Sequence, residues 1–159
     1  MTKGIVSVGM SLLLALAFAT TTVSEAVAPG AAPTEEQTEQ VPEKRYYLTA
    51  DERELICEVV MAESGTEPYA GKIAVSQCIL NACEQTGKRP AEIVTKYGYT
   101  ARRVKPSAEV EKAVSAVFDD GETVTDAEIL YFYAPELVYS EWHESQTYIC
   151  TIGGHRFFA

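Results

Sequence analysis

The sequence predicts an α+β domain, with helices in its first part and a small β-sheet in its last part. Apolar residues recur at helical spacing between residues 50 and 118. After residue 125 the pattern changes to short runs of β-branched and aromatic residues, which are typical of strands. Helices followed by strands, rather than an alternation of the two, favour an α+β domain.

Residues 1–28 are predicted to be a signal peptide. Lys3 precedes an apolar run from Met10 to Ala19, and the small residues Ala26-Val27-Ala28 follow as a cleavage site. Cleavage after Ala26 competes with cleavage after Ala28. Because the apolar run is too short to span a bilayer comfortably, no membrane association beyond the signal peptide is expected.

Residues 29–45 combine Pro, Ala, Thr and Glu with almost no side chain to bury, which predicts a disordered linker. Residues 46–159 are then long enough for one compact domain and leave little room for a second core. An exported domain of this kind is expected to be secreted.

The first predicted helix begins at a capping box, in which Thr49 is followed three residues later by Glu52. Its inward face is an apolar stripe formed by Leu55, Ile56, Val59 and Val60. We expect this helix to run to about Ser64, where Gly65 stops it.

Three further helices follow. Pro68 opens the second, which is apolar on nearly all sides and is therefore expected to be the central helix. A short third helix spans about Pro90 to Tyr97. The fourth begins near Pro106-Ser107 and ends at Asp120-Gly121. The predicted strands are Ile129–Tyr133 and Tyr148–Ile152, the second closed by two glycines.

Charge and cysteine content restrict the functions that this chain can have. A formal net charge of −10 argues against binding to nucleic acid. The four cysteines allow two disulfides in three connectivities, or buried free thiols, although Cys78 and Cys83 point to different sides of one helix. There is no CxxC pair and the two histidines lack ligand spacing, so no metal or other cofactor is expected. Nothing in the sequence indicates an oligomeric state.

Glu63 lies on the apolar face of the first helix, three residues after Val60 and four after Val59. A carboxyl group on an inward face loses hydration, which favours its protonated form. Such a group is suited to protonate a glycosidic oxygen as a general acid. The alternative is a structural Glu that only braces the adjacent Gly65-Thr66 turn.

Three segments together carry a resemblance to a known family. Residues 61–81 read MAESGTEPYAGKIAVSQCILN, and residues 130–135 (LYFYAP), Trp142 and residues 152–157 (IGGHRF) follow in order. They resemble the AEA-x-GE-P-x-x-G-x-x-AVA-x-V-x-x-N, LYYYNP, tryptophan and IG-x-H-x-F landmarks of SleB/CwlJ-type cell wall hydrolases, the spore-cortex-lytic enzymes. The resemblance covers nearly all of residues 48–159.

This resemblance implies a two-lobed, lysozyme-like domain that cuts peptidoglycan glycan strands between N-acetylmuramic acid and N-acetylglucosamine. The family's catalytic glutamate maps onto Glu63. Its members resemble lytic transglycosylases, in which one carboxyl group protonates the leaving oxygen and then takes the proton of the muramoyl 6-hydroxyl. A two-carboxylate mechanism would need a second acid about 5 to 9.5 Å away. The candidates near the landmarks are Glu67, Glu141 and Glu144.

Six residues are candidates for contact with the glycan. Tyr99 and Thr100 stand where many members carry the aromatic and hydroxyl residues of a Gly-Gln-Phe-Ser segment, whose amide is missing here. Ala134 replaces the Asn of LYYYNP, so both departures bear on substrate preference. Trp142 could stack on a sugar ring, whereas Tyr131 and Tyr133 share one face that lines either the cleft or the core. The full set is Tyr99, Thr100, Tyr131, Tyr133, Trp142 and His155.

Two other functions stay open at the level of sequence. Cys57 or Cys83 paired with His143 or His155 would make a wall peptidase. A non-catalytic peptidoglycan-binding module would have the same fold and aromatic residues but would not need the acid. The sequence also leaves open spore cortex or vegetative wall as substrate, and hydrolysis or transglycosylation as reaction.

Overall fold

Five helices and three strands make up residues 46–159, the part of the chain that this computed structural model describes. The predicted signal peptide (1–28) and linker (29–45) lie outside the described residues. The elements are α1 (Ala50–Ser64), α2 (Tyr69–Thr86), α3 (Pro90–Lys96), α4 (Ala108–Phe118), β1 (Tyr131–Tyr133), α5 (Glu141–Glu144), β2 (Tyr148–Ile152) and β3 (His155–Phe158).

Helix α1 begins and ends where the sequence predicts. The Thr49 hydroxyl accepts the Glu52 amide at 3.3 Å, and the Glu52 carboxylate accepts the Thr49 amide at 2.9 Å. This reciprocal pair satisfies amide groups that a helix N-terminus otherwise leaves unbonded. The helix ends before Gly65, whose amide still bonds Met61 O at 3.0 Å.

Helix α2 is the central helix, because every residue from Gly71 to Cys83 is buried. It packs against α1, α3 and α4, which surround it in the helical part of the domain. Two of its buried side chains are polar and bond the segment before β1. Gln77 bonds Val124 N and Thr125 O, each at 2.9 Å, and Asn81 donates to Ile129 O at 2.9 Å. These bonds attach that segment to the core.

The shorter helices α3 and α4 also lie where the sequence predicts them. Pro90 occupies the first turn of α3, where its missing amide costs no hydrogen bond. Ser107 caps α4 by accepting the Val110 amide at 3.3 Å. No helix among residues 46–159 is long and apolar enough to cross a membrane.

The sheet has one strand more than the sequence predicts. Strand β3 lies between β1 and β2 and is antiparallel to both, so the strand order is β1-β3-β2. Its four residues follow directly on the Gly153-Gly154 turn, where Gly153 has a positive φ of 57°. The sequence pattern thus predicts the first strand of the β2–β3 hairpin and the two glycines that close it, but it does not predict β3.

All four cysteines are free thiols, so the alternative of two disulfides is wrong for this structure. Cys57, Cys78 and Cys83 are buried in α1 and α2, and Cys150 is half-buried in β2. They pack as small apolar side chains, which is common for cysteine.

Candidate active site

A cavity of about 430 Å³ lies beside the C-terminal end of α1. Its wall combines that helix end with the segment after α3, the start of β1 and the short helix α5. The lining residues are Glu63, Lys96, Tyr97, Gly98, Tyr99, Leu130, Tyr131, Phe132, Trp142 and His143.

Glu63 is half-buried in the last turn of α1 and lines this cavity. Val59 and Val60 on the same face are fully buried, as the helical spacing predicts. One carboxylate oxygen, Oε1, accepts the Thr100 amide at 2.6 Å. The other oxygen has no hydrogen-bond partner among the described residues. The carboxyl group is thus held from one side and open to the cavity on the other.

The segment after α3 brings the Thr100 amide to Glu63 through a tight turn. Gly98 has φ +72°, a conformation that a residue with a side chain adopts only with strain. The Tyr99 amide then bonds back to Val94 O at 3.1 Å. The turn directs the backbone at Thr100 toward the last turn of α1. Burial raises the pKa of Tyr99 well above its ordinary value, so its hydroxyl keeps its proton.

Three aromatic rings form a continuous wall of the cavity. Tyr97 stacks on Tyr131 with ring centroids 5.6 Å apart, and Trp142 meets Tyr131 edge-on at 5.0 Å. Trp142 is 51% exposed despite its size. Rings with open faces are surfaces on which the apolar faces of sugars pack.

The two tyrosines of β1 have different surroundings although both contact α5. Tyr131 meets Trp142 and lines the cavity. Tyr133 is buried, its hydroxyl donates to Glu144, and its ring lies 5.1 Å from that of His143. Helix α5 therefore covers Tyr133, which supports the cavity wall and is not part of its lining.

Neither His155 nor the Thr100 side chain lines the cavity. His155 is buried with its ring 5.3 Å from Phe132, and its Nδ1 lies 3.6 Å from Glu67 Oε1. The Thr100 hydroxyl accepts the Arg102 amide at 3.1 Å, so its contribution to the site is its own backbone amide. Of the six predicted glycan contacts, the structure brings Tyr99, Tyr131 and Trp142 to the cavity.

Glu63 is the only carboxylate lining the cavity among the described residues. Glu67 instead accepts the Gly154 amide at 2.8 Å and tethers the β2–β3 turn to the connection between α1 and α2. Glu144 bonds Tyr133 and lies 3.3 Å from Arg156, whereas Glu141 is exposed on α5. None of the three candidate second acids is placed for chemistry there.

No cysteine lines the cavity, although His143 does. Burial raises the pKa of both Cys57 and Cys83 to about 11, which is opposite to the shift of an activated thiolate. The described residues also contain no cluster of three or more His, Cys, Asp or Glu side chains that could hold a metal ion. The cavity thus offers no Cys/His pair for peptide cleavage.

Sequence reasoning did not single out Lys96, Tyr97 or Phe132 as site residues, and it considered His143 only as a partner for cysteine. Each is a sequence neighbour of a residue that was selected: Lys96 and Tyr97 precede Tyr99, and His143 follows Trp142. Their proximity to the selected residues was the available signal.

Comparison with known proteins agrees with this architecture. A solved structure of the catalytic domain of the germination-specific lytic transglycosylase SleB from Bacillus anthracis matches with 24% identity and a TM-score of 0.59, covering 70% of this chain and 97% of that one. The catalytic domain of the Bacillus cereus SleB protein matches with 23% identity and a TM-score of 0.60, covering 74% and 98%. These likenesses confirm the predicted fold.

The family-level comparison identifies the chain's function class. A search of the curated proteins found no match. The Cell Wall Hydrolase family model matches residues 66–158, which is more than half of the chain and begins three residues after Glu63. The resemblance read from the sequence is thereby confirmed, and the chain belongs to the Cell Wall Hydrolase family of enzymes.

Proposed function

We propose that residues 46–159 cleave the glycan strand of peptidoglycan between N-acetylmuramic acid and N-acetylglucosamine, with Glu63 as acid and then base. The observation that carries this proposal is that, within residues 46–159, Glu63 is the one carboxylate facing a cavity with a three-ring aromatic wall. Family membership supports a cell-wall substrate, and the SleB likeness supports the lytic transglycosylase reaction.

In this mechanism the protonated Glu63 carboxyl donates its proton to the glycosidic oxygen as the bond to the muramoyl C1 breaks. The carboxylate that results takes the proton of the muramoyl 6-hydroxyl, whose oxygen bonds to C1. The products are a free N-acetylglucosamine hydroxyl and a 1,6-anhydromuramic end, and Glu63 regains its proton. One group thus performs both transfers, as general acid and general base.

The geometry around Glu63 favours this one-carboxylate reaction over hydrolysis with two. Hydrolysis with a second carboxylate requires that group about 5 to 9.5 Å from the first. Among the described residues the cavity lining has none. The Thr100 amide fixes one oxygen of Glu63, which leaves the other to face the reacting bond.

The test is digestion of purified peptidoglycan by the wild type and by Glu63→Gln. We expect Glu63→Gln to lose at least about 10²-fold in rate, because general acid–base catalysis is lost while the shape is kept. Glu58→Gln is the matched control on α1: Glu58 lies near Arg103, 3.8 Å away, and not in the cavity. Unchanged digestion by Glu63→Gln contradicts the proposal.

The released muropeptides distinguish the remaining alternatives. Anhydro ends and reducing ends differ in mass by one water, so mass spectrometry separates transglycosylation from hydrolysis. New amino groups from stem peptides would instead indicate a peptidase. A wild type that binds peptidoglycan without digesting it would be a binding module.

We also propose that the protein is exported by residues 1–28, with residues 29–45 as a linker, and acts outside the cell or at the wall. The apolar run from Met10 to Ala19 and the small residues Ala26-Val27-Ala28 at the predicted cleavage site support export. N-terminal sequencing of the mature protein is expected to begin after Ala26 or Ala28. An intact Met1 on protein recovered from the wall would contradict it.

A further inference from the structure

His143 is a cavity residue for which the proposed mechanism has no role. Its ring lies on α5 between the rings of Tyr133, 5.1 Å away, and Trp142, 4.9 Å away and edge-on. Its Nδ1 lies 2.7 Å from the Ser140 hydroxyl. Its Nε2 has no hydrogen-bond partner among the described residues and is not among their buried unbonded atoms. The ring is held on three sides and presents one open nitrogen.

The hydrogen bond between the Ser140 hydroxyl and Nδ1 bears on which ring nitrogen carries the proton. This oxygen already accepts the His143 amide at 3.4 Å, and the tautomer that uses its remaining proton has the hydroxyl donating to Nδ1. Nδ1 is then an acceptor, and a neutral imidazole with an acceptor at Nδ1 carries its hydrogen on Nε2. Burial lowers the pKa of His143, while Glu144 opposes that shift, so the neutral form is favoured near pH 7.

We propose that His143 is a substrate-binding residue whose Nε2–H donates a hydrogen bond to an amide carbonyl of the glycan strand. This inference rests on the proposed function and extends it to substrate selection. The carbonyl belongs either to an acetamido group of a sugar or to the lactyl amide that joins muramic acid to its peptide. Both present the same acceptor chemistry.

An amide carbonyl suits this nitrogen better than the other polar groups of a glycan. A sugar hydroxyl is both donor and acceptor and adapts to many sites, whereas a carbonyl accepts only. A site built around a fixed donor rejects an analogue that lacks the acceptor, because the donor then loses its partner. A de-N-acetylated sugar lacks that carbonyl and carries an ammonium group instead.

Lys96 reinforces the same selection. Its ammonium group lies 5.5 Å from the Tyr97 ring centroid at the cavity and makes no ion pair within residues 46–159. A substrate ammonium entering the cavity would meet this like charge as well as the His143 N–H. The cavity therefore favours N-acetylated, acceptor-rich strands.

Trp142 allows binding to be measured without catalysis. It is the single tryptophan of the chain and lines the cavity, so its fluorescence reports occupancy there. In the Glu63→Gln background, we would titrate N-acetylglucosamine oligomers and glucosamine oligomers with and without His143→Phe. Phenylalanine keeps the ring and removes the donor. A second pair of ligands is glycan strands with stem peptides and strands trimmed by an amidase.

We expect His143→Phe to weaken binding of the ligand that supplies the carbonyl by about twofold to tenfold, the range for a net hydrogen bond. His143→Phe should leave the affinity for the matching ligand without that carbonyl unchanged. His143→Gln should recover part of the lost affinity. A merely structural effect would weaken both members of a pair equally. The pair that shows the difference identifies the acetamido or the lactyl carbonyl.

If His143→Phe weakens the binding of both members of each ligand pair by the same factor, the inference is overturned. It is also overturned if no glycan binds. Failure of the proposed function has a different signature. In that case the wild type releases no products from peptidoglycan, whereas the titrations still report whether His143 selects a carbonyl. Unchanged thermal unfolding of the variants confirms that they are folded.

Discussion

Replacement of Gly153 by Ala is expected to destabilise the domain through Glu67, the side chain that joins the β2–β3 turn to the connection between α1 and α2. An added Cβ at Gly153 would lie 1.8 Å from Glu67 Oε2 and 2.9 Å from Pro68 Cδ. The carboxylate can swing away only by releasing the Gly154 amide, which it accepts at 2.8 Å. The Pro68 ring has no comparable freedom.

Two costs add in this variant. A residue with a side chain at φ +57° costs about 1 kcal/mol relative to glycine. Loss of a hydrogen bond to a charged carboxylate costs about 1.5 to 3 kcal/mol, with the lower end expected at this partly exposed position. We therefore expect the free energy of unfolding, measured by urea denaturation, to fall by about 2.5 to 4 kcal/mol.

Gly87→Ala is the matched control, because Gly87 has φ +66° and no atom within 4 Å of an added Cβ. It should cost only the backbone contribution, about 1 kcal/mol. In a Glu67→Ala background, most of the extra cost of Gly153→Ala should disappear, since the two changes share one contact. A Gly153→Ala variant no less stable than Gly87→Ala would refute this reasoning.

Three further outcomes are expected. Gln77→Leu should cost about 2 to 4 kcal/mol in urea denaturation, because it leaves Val124 N and Thr125 O unbonded, whereas Gln85→Leu on the exposed side of α2 should change stability by less than about 0.5 kcal/mol. The three buried thiols, Cys57, Cys78 and Cys83, should resist a thiol-reactive disulfide reagent in the native protein, and all four should react after unfolding; a melting temperature that falls on adding reductant would contradict this. Hydrogen bonds from Arg89 lower the pKa of Glu52 from 4.5 to about 2, so stability that is present above pH 4.5 should be lost as the pH falls toward 2. Glu52→Gln should remove that part of the acid sensitivity in denaturation curves measured across this range.

The helical part of the fold could be predicted because its signals are local. The capping box of Thr49 and Glu52, the stop at Gly65 and the first-turn Pro90 each specify a boundary through neighbours in the sequence. The inward position of Glu63 likewise follows from helical spacing alone. For such elements the tertiary structure adds little to what the sequence indicates.

The rest of the site depends on contacts between distant parts of the chain. The Thr100 amide meets Glu63 across 37 positions, and no local pattern indicates that pairing. Alternation correctly placed Tyr131 and Tyr133 on one face but could not tell that α5 covers only one of them. Helix α5 itself has four residues and no buried side chain, so it lacks the apolar stripe that reveals a longer helix.

The position of β3 has a consequence for when the cavity wall is completed. Strands β1 and β2 each pair with β3 and not with each other, and Leu130 N also bonds Phe158 O at 2.8 Å. A chain that emerges from its N-terminus during synthesis has α1 to α4 available long before residues 155–158. Its helices can pack early, but β1, which carries Tyr131 of the cavity wall, has no partner strand until residues 155–158 are made. The sheet that carries Tyr131 into the cavity wall is therefore complete only when this central strand docks.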